Sequence, residues 1–449
     1  MCVPELIATL IREAEPDKSL LVPIDPIGNA APEEPGKLGR LASQPLLRPG
    51  DALAARSEMC LLLALPVRLM HRREQGLGRE DAGRAEGRSK RCERAAFGNR
   101  PAAGSDDRHP HAFHAGECAR PRNGRRALNG IQFGRNARGK ITSAVGGISQ
   151  EIPWPTPIET PDGRVSSMDE RRVDVHLVSI SPTMYWYGLD RPDGCALARA
   201  SNDDLAGMIA RRPDRFVGLG YLPLQDAAGS VAELERCVRD LAMPGVMIGT
   251  NVNGQDWDSP RLFPVLQAAE QLGAVLYFHP ARGRADSWLT RYHLSNVIGN
   301  PLETATALAT LIFGGVFDRL SSLKTCFAHA GGYGVLGIGR MDHGHEVRPE
   351  SSAIAKLPSG YVKACWFDTI THNERALRYL VDTVGAGRVV LGSDYPADMG
   401  EPRPVDWIES CDSLSAAEKT AILGSKAVSL FGLERFVGAE RAAPSSAVV

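Results

Sequence analysis

No run of about 20 apolar residues, the length a membrane-spanning helix requires, occurs in this 449-residue chain; the longest, residues 59–67, is far shorter. Met1 is not followed by the basic-then-apolar pattern of a secretory leader. The cytoplasm is therefore the expected compartment, and no membrane partner is expected. A dominant charge is also missing. The 52 Lys and Arg against 53 Asp and Glu leave a net charge of −1, so no global field draws in nucleic acid. Nine cysteines are present, but none forms a CxxC pair, which argues against a zinc–thiolate knuckle or a disulfide framework. Aromatics are few, 6% of the chain. They are scarcest between about residues 18 and 148, where Arg, Gly, Ala and Pro dominate. Basic clusters at 78–100 and 120–140 have no aromatic interleaving and no periodicity, so they do not read as a nucleic-acid site. This stretch, 18–150, is expected to be a disordered insert, and 438–449 a disordered tail.

From Thr160 onward, apolar runs alternate with amphipathic stretches. Strands are expected at 173–181, 216–224, 245–250, 274–279, 325–329, 364–369 and 389–394. Helical patterns lie between them, as at 202–212, 230–241, 260–272, 301–320 and 373–384. Alternation of this kind makes a parallel sheet with helical crossovers. Seven strands fit a (β/α)8 barrel, an α/β fold, with its first strand missing or atypical. The barrel is expected over 151–437.

Three strand ends carry chemistry. Tyr277-Phe278-His279-Pro280, Phe327-Ala328-His329-Ala330-Gly331-Gly332 and Leu391-Gly392-Ser393-Asp394-Tyr395-Pro396 each run apolar into an ionisable residue and then break. A carboxylate closing a buried strand needs a metal or a cation to satisfy it, although Asp394 could also cap a helix. Neutral imidazole is a common first-row metal ligand, and His329 can also carry a proton near neutral pH. Two His and one Asp on separate strand ends make a candidate metal-assisted site at the C-terminal face of a barrel. Arg340 can grip a carboxylate in a bidentate fork, whereas Arg348 reads as a solvated helix end. His343 and His345 form an HxH in a charged, loop-like setting and read as surface residues. Asp368 and His372 are candidate supporting groups.

Taken together, these phrases resemble the amidohydrolase-related metal-dependent decarboxylases over roughly 160–435. The resemblance is carried also by Met168-Asp169-Glu170-Arg171, by Gly299-Asn300-Pro301-Leu302-Glu303-Thr304, by Gly314-Gly315-Val316-Phe317 and by Gly339-Arg340. It implies a distorted TIM barrel holding one divalent metal, zinc or else manganese. It implies that His279 and Asp394 are metal ligands and that His329 is the acid/base group. It makes Arg340 a substrate-carboxylate clamp reaching from a neighbouring subunit, hence a homodimer, and Arg164 a second substrate-binding arginine. His293 stands where relatives carry a Trp near the substrate. The family's first strand ends in a ligating HxH. Here Met1–Leu10 resembles the segment just after that strand, and His109-Pro110-His111 is a weaker candidate for the HxH.

The expected activity is non-oxidative decarboxylation of an unsaturated or aromatic carboxylic acid. Two alternatives stay open: metal-dependent hydrolysis of a lactone or amide, and an inactive truncated barrel.

Overall fold

The computed structural model describes residues 62–68, 132–135, 141–145, 148–151, 160–281 and 283–437. Met1–Leu10, His109 and His111 lie outside the described residues. Eight strands form the barrel wall. They are β1 (Leu62–Val67), β5 (Val175–Ile180), β6 (Phe216–Gly218), β7 (Gly245–Gly249), β8 (Val275–His279), β9 (Lys324–Phe327), β10 (Trp366–Asp368) and β11 (Val389–Val390). Among the described residues, strands β2 (Gln132–Arg135), β3 (Ile141–Val145) and β4 (Ile148–Glu151) pair only with one another, as an antiparallel sheet. All seven expected strands are present, and β5 to β11 run parallel. A bridge from Gly220 to Val246 joins β6 to β7.

The eighth strand is the one without a candidate in the sequence. β1 pairs with β5 antiparallel, from Leu62 opposite Ile180 to Val67 opposite Val175. It fills the first-strand position in reversed direction. The seam between β1 and β11 is closed by a different device. Consecutive carbonyls accept from the two sides, Ile422 from Leu391 N–H at 3.1 Å and Leu423 from Arg68 N–H at 2.8 Å. This satisfies backbone groups that an open sheet edge would leave bare.

Strands form where buried apolar runs occur, because both faces of a parallel sheet are covered. β7 and β8 are buried at every position. Phe278, Phe327 and Phe367, on β8, β9 and β10, stack at 4.9 and 5.8 Å between centroids. Such pairs add about 0.5–1.5 kcal/mol each beyond area burial. The outer helices include α1 (Pro161–Glu170), α2 (Arg191–Arg211), α3 (Ala227–Arg239), α4 (Phe263–Leu272), α5 (Asn300–Phe313), α6 (Ile338–Val347) and α7 (Glu374–Val384). α7 is representative. Asn373 caps it by accepting from Ala376 N–H at 3.1 Å, and Leu377, Leu380, Val381 and Val384 form one buried stripe. Among the described residues no helix is long and apolar enough to cross a membrane.

The β7–β8 pair admits no side chain at Gly245, where an added Cβ would lie 2.0 Å from the Val275 carbonyl oxygen. Gly245→Ala is expected to destabilise the fold by about 2 kcal/mol, the cost of forcing packed elements apart. Urea denaturation followed by circular dichroism checks this; an unchanged midpoint would show that β8 can yield.

Candidate active site

β8 delivers His279 to the C-terminal face, and the chain leaves the strand at once through Pro280. β9 ends at Phe327. One extended residue, Ala328, follows, and then His329 and Ala330 both take left-handed backbone angles, φ +55° and +56°. After β11 the chain runs on buried through Leu391 to Ser393 and reaches Asp394, also left-handed at φ +51°. The three side chains converge. His279 Nε2 lies 3.3 Å from Asp394 Oδ1, His329 Nε2 lies 3.7 Å from Asp394 Oδ2, and the imidazole centroids are 4.9 Å apart.

The donor set fits a cation. His279 Nδ1 donates to the Pro280 carbonyl at 2.8 Å. In the neutral ring this leaves a lone pair on Nε2, turned toward a carboxylate oxygen. Two acceptors face each other, which requires a proton or a metal between them. All three ligand atoms lie within 4.8 Å of one another. Around zinc, with bonds of about 2.0–2.2 Å, neighbouring ligand atoms sit only about 3–3.5 Å apart, so a small closure suffices. His279 and Asp394 have the nitrogen and oxygen chemistry to hold such an ion, and His329 stands beside them.

Electrostatics follow from the same geometry. Burial alone would raise the Asp394 carboxyl, but His279 and His329 outweigh it and hold it well below the usual carboxylate range. Burial works against charge on His329, yet Asp394, with help from Asp368, leaves its imidazole raised above the ordinary value.

Asp368 ends β10, fully enclosed, and accepts four hydrogen bonds. Its Oδ2 takes His329 N–H at 3.0 Å and the Tyr277 hydroxyl at 2.8 Å; its Oδ1 takes Ala330 N–H at 2.9 Å and Ile370 N–H at 3.0 Å. Two consecutive amides of this tight turn thus converge on one carboxylate. Left-handed geometry costs about 1–2 kcal/mol per non-glycine residue. A hydrogen bond to a charged group contributes about 1.5–3 kcal/mol, so the two amide bonds offset the strain. Gly332 completes the turn at φ +59°, where a Cβ would lie 2.0 Å from the Pro301 carbonyl oxygen. Tyr277 was not singled out in the sequence. The signal was there: it stands two residues before His279, on the same face of β8.

A cavity of about 290 Å³ opens beside His329 and Asp394, walled by Asn296, Val297, Tyr333, Ile370, His372 and Met399 among others. Neither arginine expected at the substrate lines it. Arg164 is buried on α1 with its guanidinium 4.9 Å from the Tyr395 ring centroid. Arg340 is exposed on α6. His343 is exposed near Glu346, whereas His345 is half-buried and its Nδ1 donates to the Ser351 carbonyl; both lie on α6 and not in the loop-like setting expected. His293 is exposed, with φ +59°. Buried His176 on β5, unremarked in the sequence, is kept neutral by burial and by Arg164, Arg171 and Arg215. No residue of β1 can ligate a metal, since the strand reads LLALPV. A strand reversed in direction also turns its C-terminal end away from the catalytic face.

The amidohydrolase family model matches residues 107–433, more than half of the chain. The chain belongs to the amidohydrolase family. This amidohydrolase is 40% identical over 276 residues to the 2-amino-3-carboxymuconate-6-semialdehyde decarboxylase of Dictyostelium discoideum, a match covering 61% of this chain and 77% of that one. Its fold is similar to the solved 5-carboxyvanillate decarboxylase of Sphingomonas paucimobilis, with TM-score 0.56 and 30% identity over 60% of this chain and 82% of that one. It is also similar to a dihydroxybenzoic acid decarboxylase from Polaromonas sp. JS666, solved with bound manganese and the inhibitor 2-nitroresorcinol. That match has TM-score 0.58 and 25% identity, over 62% of this chain and 87% of the other.

The pKa directions set a pH dependence for the metal-free amidohydrolase. The raised His329 value adds stability that is complete below its unfolded pKa, about 6.5, and is lost as pH rises through the folded value. The lowered Asp394 value adds stability that is complete above about 3.9 and is lost as pH falls through the folded value. The melting temperature of chelator-treated protein should therefore fall between pH 6 and 9, and fall less in His329→Gln. Equal slopes for the two proteins would remove the pair from the account.

Proposed function

We propose that the chain is a metal-dependent, non-oxidative decarboxylase acting on an unsaturated or aromatic carboxylic acid. The observation that carries this reading is the convergence of His279, His329 and Asp394 at the barrel's C-terminal face, with His329 and Asp394 lining a cavity there, in a chain whose relatives are decarboxylases. In this reading His279 and Asp394 hold a divalent cation, zinc or manganese; nitrogen and oxygen donors suit both, and manganese is bound in the Polaromonas relative. When bound, the ion supplies Lewis-acid charge that fixes substrate oxygens. His329 delivers a proton to the carbon bearing the carboxylate. The carbon–carbon bond then breaks, its electron pair stays on that protonated carbon as the unsaturated system is restored, and the carboxylate leaves as carbon dioxide.

Arg340 enters this reading through a second subunit. It is exposed on α6 and does not line its own cavity, so the clamp on substrate carboxylate would be Arg340 of the partner subunit. Large exposed apolar side chains favour self-association: Tyr333 and Leu336, in the cavity lining, are 39% and 58% exposed, and Trp288 is 67% exposed. Arg164, packed on Tyr395 next in sequence to Asp394, would shape the site from beneath. His293 in place of a Trp points to a substrate different from those of the relatives.

Purified protein should contain zinc or manganese, read by elemental mass spectrometry. His329→Ala should keep that metal and lose at least about 100-fold in carbon dioxide release from hydroxybenzoate-like or muconate-like acids, the range for removing a general acid. Opening of a lactone without carbon dioxide would favour the hydrolase instead, and an absence of metal the inactive barrel.

Sedimentation should show a dimer. Arg340→Ala should raise KM about 10- to 100-fold with kcat little changed, as expected for losing a charged contact to substrate. A monomer with full activity would remove the partner arginine from the mechanism.

A further inference from the structure

We infer that Asp368 is a positioning residue for the proton-transfer step: it holds the His329–Ala330 turn in its left-handed form and thereby aims the His329 imidazole into the site. The inference rests on the reading of His329 as the proton carrier. Asp368 does not itself line the cavity, and no hydrogen bond joins it to the His329 ring. It acts through the backbone, by the His329 and Ala330 amides at 3.0 and 2.9 Å.

The geometry assigns the carboxylate this task and leaves little room for another. Its four acceptor positions are filled by four donors, so it has no free lone pair to offer a metal or a substrate. The donors tie three elements together: Tyr277 from β8, the turn after β9, and Ile370 just beyond β10 itself. Tyr277 is two residues from His279 on the same strand face, so one carboxylate fixes the spacing of the two histidine-bearing strand ends. The Tyr277 hydroxyl donates to Asp368 Oδ2 at 2.8 Å from a buried position on β8. Space around the carboxylate is closed as well. A Cβ on Gly392, two residues before Asp394, would lie 2.9 Å from Asp368 Cβ. The chain leading to Asp394 therefore packs directly on the group that orients His329.

The decisive property is the acceptor chemistry of both oxygens. Asp368→Asn preserves shape but turns one acceptor into a donor, which must face at least one of the four N–H or O–H groups. The expected result for metal-loaded Asp368→Asn is a fall in kcat of about 10- to 100-fold, the range for supporting groups of this kind. KM should stay within about threefold and metal content should be unchanged. A crystal structure of the variant should show His329 out of the left-handed region, or its imidazole displaced from Asp394. Unchanged kcat, a rise in KM alone, or a lowered kcat with His329 unmoved would overturn the assignment. Should Asp368→Asn fail to fold, Tyr277→Phe carries the test, with a smaller loss in kcat at constant KM expected and an unchanged kcat overturning it. If the wild-type chain releases no carbon dioxide from any acid tried, the functional reading falls. The crystal structure then decides the positioning role by itself.

Discussion

Asp394 is a carboxylate enclosed at the mouth of a barrel, and the arrangement around it follows from that one cost. An isolated buried anion is far too expensive to keep. It persists because His279 and His329 stand at 3.3 and 3.7 Å and hold it ionised. The compensation does not come from the same strand. His279 comes from the end of β8, His329 from the turn after β9 and Asp394 from beyond β11, so the carboxylate is stable only when the whole parallel sheet has curled to bring those ends together. Fold and site are thus coupled through an electrostatic requirement. When His279 Nε2 carries no proton, the same pair presents two acceptors to a cation, which is how a folding constraint becomes a binding site.

Strain is concentrated at the same place. His329, Ala330 and Asp394 all adopt left-handed backbone angles that non-glycine residues avoid. Such outliers gather where the surroundings over-determine them. Here the surroundings are a second buried carboxylate, Asp368, with its four donors. Two acids therefore divide the work: Asp394 faces the cavity and supplies charge, while Asp368 faces the backbone and supplies shape. Around them the stacked Phe278, Phe327 and Phe367 hold the three strands in register.

The first-strand position is where the barrel wall departs from an all-parallel arrangement. β1 enters it reversed and without a ligating side chain, and the seam beside it is sealed by the 422 and 423 carbonyls rather than by a ladder. The parallel wall could be read from the sequence because its strands are short, mostly apolar runs of the right length, several of them ended by Pro or Gly. The reversed strand could not. Its run at 59–67 is as apolar as the others, but direction is not encoded in apolarity; it is decided by which edge is open when the chain arrives. Arg164 and Arg340 show the same limit. The family resemblance suggested both as substrate-binding arginines; that Arg164 is buried against Tyr395 and Arg340 exposed on α6 depends on packing that no local pattern reports.

The sequence by itself determined the strand count from residue 160 onward, the identity of the three ionisable strand ends and membership of the decarboxylase-bearing family. These depend on local apolar runs and on motifs whose order survives without coordinates. Tertiary structure alone decided that the three ends meet within coordination distance. It also decided that Asp368 orients His329 through backbone amides, and that the barrel closes over a reversed strand. The reason is physical. Distances across a barrel, the sharing of one carboxylate by four donors and the pairing of an open edge arise between residues tens to hundreds of positions apart, and only the closed sheet brings them into contact.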